Sequence, residues 1–175
     1  MSFDTASDNS ECKLARPRPP QVVDGASIHR LVRDSAILDV NSCYSYLLLC
    51  RDFSETCRVA EIDGQLAAMA TGYIPPRRPD VLFVWQIAVA ADYRRRGLAR
   101  QLLLDLLASV ACRQVRYLEA TVAPSNEASR KLFARLAEEL EAPFVVEDGF
   151  RQEDFGHDSH EAEQVVRVGP IPEKK

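Results

Sequence analysis

No apolar run in the 175 residues approaches the ~18 that a membrane-crossing helix needs. The first residues show no basic segment followed by an apolar stretch, so no secretory signal is visible. No two cysteines form a CxxC pair, and the five present (Cys12, Cys43, Cys50, Cys57, Cys112) are an odd number. That pattern argues against a zinc ligand set or a disulfide framework and fits reduced thiols in a cytoplasmic protein, with a catalytic cysteine left open. Lys+Arg 22 against Asp+Glu 26 leaves a net charge of −4, without the basic excess of a dedicated nucleic-acid binder. A local basic patch for a phosphorylated ligand remains compatible with it. GxGxxG and GxxxxGK[ST] are both missing, which excludes a Rossmann fingerprint and a P-loop. No segment repeats.

The chain does carry 46% hydrophobic and 27% charged residues, the make-up of a globular domain. Its length gives one domain of the usual ~100–200 residues, large enough to bury about 70% of its unfolded surface. Residues 1–12 are small and polar and read as a disordered tail, leaving residues 13–175 as a single domain. Residues 14–18 form a short first strand. Asp24 caps a helix with Ala26, Ile28, Leu31 and Val32 on one face, and a second short helix covers residues 44–50. Strands at 57–62 and 65–73 flank Asp63-Gly64, a two-residue hairpin signal. Residues 81–89 are almost wholly apolar, as in a strand covered on both faces. A leucine-rich helix spans 97–112, a strand 115–122, and a helix opened by Ser125-Asn126 stops at Pro143. Strands at 144–146 and 164–168 close the chain around a long acidic loop.

The chemistry gathers where the apolar strand meets the leucine-rich helix, at Arg94-Arg95-Arg96-Gly97-Leu98-Ala99. A helix N-terminus exposes about four unpaired N–H groups and roughly half a positive charge. Gly97 and Ala99 let an anion approach those donors, and the arginines add fork-shaped phosphate ligands. A diphosphate site follows, unless the arginines are only a solvated helix entry.

Arg94, Gly97 and Ala99 fill the fixed slots of Arg/Gln-x-x-Gly-x-Gly/Ala, and with its flanks the hexapeptide resembles motif A of the GNAT acetyltransferases. The resemblance implies an α/β fold: a mixed, mostly antiparallel sheet flanked by helices, with a V-shaped split between its fourth and fifth strands. It implies acetyl-CoA as co-substrate. The pantetheine arm would lie along Ile87, Ala88 and Val89, the diphosphate at Arg94, Arg95, Arg96, Gly97, Leu98 and Ala99, and Asn126 would be a further cofactor-binding residue. Within the family, residues 38–42, 72–79, 82–89, 118–126 and 160–170 resemble the branch that acetylates the 4-amino group of L-2,4-diaminobutyrate in ectoine synthesis. The likeness runs from about residue 14 to residue 172. A homodimer is compatible with it, and no nucleic-acid or membrane partner is expected. An enzyme for another small diamine or a peptide amine, or a degenerate acyl-CoA-binding regulator, remains the alternative.

Such a transfer must remove a proton from an amine with a pKa near 10.4, which costs about 4.6 kcal/mol at pH 7. Where many family members place a strand-four Glu as base, this chain has Gln86; where many place a Tyr as acid, it has Phe133. Glu119 is then the first candidate base, with Glu161 and Glu163 behind it, although paired or solvated carboxylates would look the same. The Val89 N–H would serve the thioester oxygen, and Tyr44 or Tyr73 the leaving thiolate. Asp39, Glu161 and Glu163 could hold ammonium groups; Asn41, Trp85 and His160 could hold a carboxylate. Ordinary core packing for Trp85 and turn chemistry for Asp39 stay open. His157 and His160 with Asp158 offer only two nitrogens, so no metal is expected.

Overall fold

Six strands and four helices make up most of the residues described by the structure, a computed structural model, at positions 16–35, 38–156 and 160–172. The tail expected at 1–12 lies outside them. A 3-10 turn over Val22–Asp24 runs into α1 (Gly25–Ser35), followed by α2 (Cys43–Asp52), β1 (Arg58–Ile62), β2 (Gln65–Tyr73) and β3 (Val81–Val89). Then come α3 (Leu98–Ala108), β4 (Tyr117–Val122), α4 (Glu127–Glu139), β5 (Phe144–Asp148) and β6 (Gln164–Val168). The sheet order is β1-β2-β3-β4-β6-β5, with β3–β4 the one parallel pair.

Alternation along the strands feeds two cores. Val59, Met69 and Ala88 pack beneath α1 and α2 with Ile28, Val32 and Tyr46. Ala60, Ala68, Ala70, Leu82 and Val84 pack beneath α3 and α4 with Leu102, Leu106 and Phe133. Asp63 and Gly64 both take positive φ (52° and 74°), as their hairpin requires.

Three expectations are corrected. Of the strand expected at 14–18, residues 14 and 15 lie outside the described residues, and over 16–18 there is only a bridge between Arg18 and Val59, because Pro17, Pro19 and Pro20 cannot donate to a ladder. Asp24 does not cap α1. Its carboxylate accepts from the Gln21 amide (2.7 Å) and from both terminal nitrogens of Arg18, which hold its carboxyl below the usual range. Ala26 is exposed rather than on the apolar face.

The feature that makes the site is a split in the sheet. β3 and β4 pair only at Val81–Tyr117, Leu82–Leu118 and Phe83–Glu119. Beyond that, β3 bonds to β2 alone as far as Val89, and β4 to β6 alone as far as Val122. A bulge supplies the bend: Thr71 faces Gln86 and Gly72 faces Val84, leaving Trp85 as the extra residue. Glycine is required there, since a Cβ on residue 72 would sit 2.6 Å from the Phe83 carbonyl oxygen.

Candidate active site

Two clefts meet in the split. One, about 640 Å³, lies between the end of β3, the start of α3 and the length of α4; Ile87, Val89, Arg95, Gly97 and Ala99 are among its lining. The other, about 1480 Å³, lies on the β4–β6 side and includes Asp39, Trp85, Glu119, His160 and Glu163. Leu38, Asn126 and Ala128 border both.

The first cleft has the donors an anion needs. Gly97 caps α3 at φ 80° with no side-chain acceptor, so the amides of the first turn keep their donors. A Cβ on Gly97 would meet nothing within 4 Å, so that face is open. Ala90 donates its amide to the Ala67 carbonyl at 2.8 Å, which makes Ala68 and Val89 a non-hydrogen-bonded pair. By alternation the amides of Ile87 and Val89 turn away from β2 and into the split. Arg94 Nε closes the corner on the Val89 carbonyl at 3.2 Å, and Arg96 lies 5.3 Å over the Tyr93 ring. Asn126 spends its Oδ1 capping α4, accepting from the Ser129 amide at 3.1 Å, and keeps its Nδ2 donors.

The second cleft is acidic. Asp39, Glu119, Glu127, Glu147, Glu161 and Glu163 line it against Arg78, Arg167 and His160. Glu119 is buried, and both of its oxygens are taken: Oε2 by Arg78 Nη1 at 2.5 Å, Oε1 by Arg167 Nε at 2.7 Å. Glu161 accepts from the Ser125 hydroxyl at 2.6 Å and, at 3.3 Å, from its amide, tying the tail to the start of α4. Glu163 is half-buried, and its nearest charged neighbour is His160 Nε2 at 4.0 Å. Of the carboxylates expected to act, Glu163 is the one left facing the cleft without a hydrogen-bonded partner among the described residues.

Both nitrogens of His160 face acceptors: Nδ1 the Glu161 carbonyl at 2.6 Å, Nε2 the Asp39 carboxylate at 3.1 Å. Only the imidazolium donates to both, so the Glu161 carbonyl first and Asp39 second push its pKa above the ordinary value. Phe155 stacks on the ring at 3.9 Å. This contact therefore stabilises the fold fully below about pH 6.5 and is lost as pH rises through the raised folded value. Proton-monitored NMR titration should place the His160 midpoint above 6.5 and show it falling in Asp39→Asn; an unchanged midpoint in that variant would contradict the assignment.

Gln86 accepts no proton at neutral pH but does structural work. Tyr46 donates its hydroxyl to Gln86 Oε1 at 2.9 Å, and Gln86 Nε2 donates to the Asp39 carbonyl at 2.8 Å, so α2 and β3 fix the Asp39 segment. Trp85 is 41% exposed at the bulge and lines the cleft, as does Asn41. Phe133 is buried in the core. Tyr73 lines the cleft against Phe83, whereas Tyr44 is exposed and lies outside its lining. His157 and Asp158 lie outside the described residues. Sequence reasoning missed Arg78, Arg167 and Phe155, whose partners are up to 48 residues away.

Glu119→Gln leaves two half-exposed guanidiniums facing a neutral amide. The cost should fall below the 3–5 kcal/mol of a fully buried pair, at about 1–3 kcal/mol. A scan should show Tm lowered by roughly 2–12 °C; an unchanged Tm would refute the anchoring role.

The split sheet, with an open helix end at its mouth, offers an anion a landing point and a long ligand arm a strand to lie along. The chain matches the model of the acetyltransferase (GNAT) family over residues 26–137, and it belongs to that family. Its curated relatives are more particular. It is 45% identical over 152 residues to L-2,4-diaminobutyric acid acetyltransferase of Marinococcus halophilus (87% of this chain, 88% of that one). It is 42% identical over 177 residues to the enzyme of the same name from Bordetella parapertussis (96% and 95%). Among solved structures it resembles diaminobutyrate acetyltransferase EctA from Paenibacillus lautus, in complex with its substrate L-2,4-diaminobutyric acid and coenzyme A. The TM-score there is 0.87 at 41% identity, covering 91% of this chain and 96% of that one.

Proposed function

We propose that this acetyltransferase moves the acetyl group of acetyl-CoA to the 4-amino group of L-2,4-diaminobutyrate in the cytoplasm. The product is N4-acetyl-L-2,4-diaminobutyrate, an intermediate of ectoine synthesis. One observation carries the reading: a carboxylate-rich cleft opens onto a split strand whose outer end meets the uncapped N-terminus of α3. The 41–46% identical relatives of that activity support the substrate.

Acetyl-CoA supplies the activated thioester. The first-turn amides of α3, with Arg94, Arg95 and Arg96, hold its diphosphate, and the Ile87 and Val89 amides hold the arm along β3. The Val89 N–H, turned away from β2, would donate to an oxyanion in the split. At the acidic end, Asp39 and Glu163 hold the ammonium groups of the diamine, while Asn41 and Trp85 Nε1–H offer donors to its carboxylate and the His160 imidazolium, its two N–H groups spent on Glu161 and Asp39, adds only its positive charge.

Proton removal falls to Glu163. The sequence points first to Glu119, but two guanidiniums occupy both of its oxygens, so its part is to anchor Arg78 and Arg167. Glu161 is likewise held by Ser125. Glu163 Oε accepts the proton of the reacting ammonium, and desolvation in the cleft lowers the roughly 4.6 kcal/mol needed.

Competition between diaminobutyrate, ornithine, lysine and putrescine tests the reading. Diaminobutyrate should win over putrescine, which lacks the carboxylate, by roughly 10²-fold in kcat/KM. NMR of the product should find the acetyl on the 4-nitrogen alone. Equal use of putrescine would move the activity to another diamine, and tight acetyl-CoA binding without turnover would favour a regulator.

A further inference from the structure

We propose that Arg135, on α4, recognises the 3′-phosphate of coenzyme A and so selects CoA over its 3′-dephospho form. The inference rests on the acetyl-CoA reading of the cleft and adds a contact to it.

The observation is a cation left over in this cleft once the ion-paired side chains and the arginines beside the diphosphate position are set aside. Lys131 donates to Glu127 at 2.7 Å, and Arg100 makes a two-pronged ion pair with Glu139. Arg94 is on the Val89 carbonyl, and Arg96 lies over Tyr93. Arg95 flanks the open helix end at φ 61°, beside the diphosphate position. Arg135 lines the same cleft and makes no hydrogen bond or ion pair with any described residue.

Its position matches the length of the ligand. Asn126 caps α4 where the two clefts meet, next to the place of chemistry. Arg135 stands nine residues further on, about 13 Å along the helix axis at 1.5 Å per residue. A CoA molecule with its thioester in the split and its diphosphate on α3 has one anionic group left, the phosphate on the ribose at its far end. Arg135 is the free guanidinium at the far end of the cleft, and its planar fork suits a phosphate. Leu132 and Leu136, which flank it on the helix and also line the cleft, give the nucleoside an apolar wall.

Calorimetric titration with CoA and with 3′-dephospho-CoA decides this without turnover. Native protein should bind CoA on the order of tenfold more tightly. Arg135→Ala should lose that preference by weakening CoA alone, with dephospho-CoA affinity held within about twofold. Lys131→Ala, whose cation is already spent on Glu127, should keep most of the preference. Arg135 is exposed, so its removal leaves the core intact; Tm of the variant checks this. Equal affinity of native protein for both nucleotides, or equal weakening of both in Arg135→Ala, would overturn the proposal while leaving the cofactor reading standing. Failure of native protein to bind either one would overturn both.

Discussion

Gly97→Trp should reduce acetyl-CoA affinity by at least ~100-fold in calorimetry, the loss of two or more charge-assisted hydrogen bonds. Gly97 is the residue through which the first turn of α3 is reached, at φ 80° and with open space where a Cβ would stand. A side chain there projects toward the face that the diphosphate must approach. The left-handed conformation adds about 1–2 kcal/mol of strain, a minor part of a domain's 5–15 kcal/mol. The variant should therefore fold with Tm lowered by only a few degrees. Gly97→Ala carries the same strain with far less bulk, so it separates the two effects: its affinity should fall much less. Unchanged affinity in the tryptophan variant would mean that the diphosphate lies elsewhere.

Glu163→Gln should cut kcat by about 10²–10³-fold, the usual contribution of a positioned general base. The amide keeps the shape and most of the hydrogen bonding of the carboxylate but cannot take a proton at neutral pH. KM for the diamine should rise by less than about tenfold, because Asp39 still faces an ammonium group. Glu119→Gln provides the contrast. It should lose thermal stability while keeping kcat within about tenfold, since its oxygens are spent on Arg78 and Arg167. If Glu119→Gln instead produced the larger fall in kcat at normal Tm, the base would be Glu119 and the clamp incidental.

What was legible in the sequence is local. Asp63-Gly64 specifies its hairpin, Asn126 caps its helix through the Ser129 amide, and strands 65–73, 81–89 and 164–168 occupy their expected residues. Gly97 was legible too, because an open helix N-terminus needs a residue without a side chain at that point. The rest depends on register and distance. The bulge at Trp85 follows from the close approach of Gly72 to the Phe83 carbonyl, and no period in either strand announces it. Gln86 looks like a lost base until Tyr46 and the Asp39 carbonyl, 40 and 47 residues away, come within hydrogen-bond reach. Glu119 looks like a base for the same reason: its two guanidiniums come from residues 41 and 48 positions away. A carboxylate's freedom to accept a proton depends on partners that folding delivers, so sequence could name Glu119, Glu161 and Glu163 and put Glu119 first without seeing the guanidiniums that occupy it.

A crystal structure with coenzyme A and L-2,4-diaminobutyrate bound tests the account at its centre. The diphosphate should rest on the amides of Leu98 and Ala99, with the pantetheine arm beside the outward-facing amides of Ile87 and Val89. The 4-amino nitrogen should lie within hydrogen-bond reach of Glu163, directly or through one water. A nucleotide bound away from the start of α3, or a diamine whose 4-nitrogen is turned away from both the split and Glu163, would contradict it.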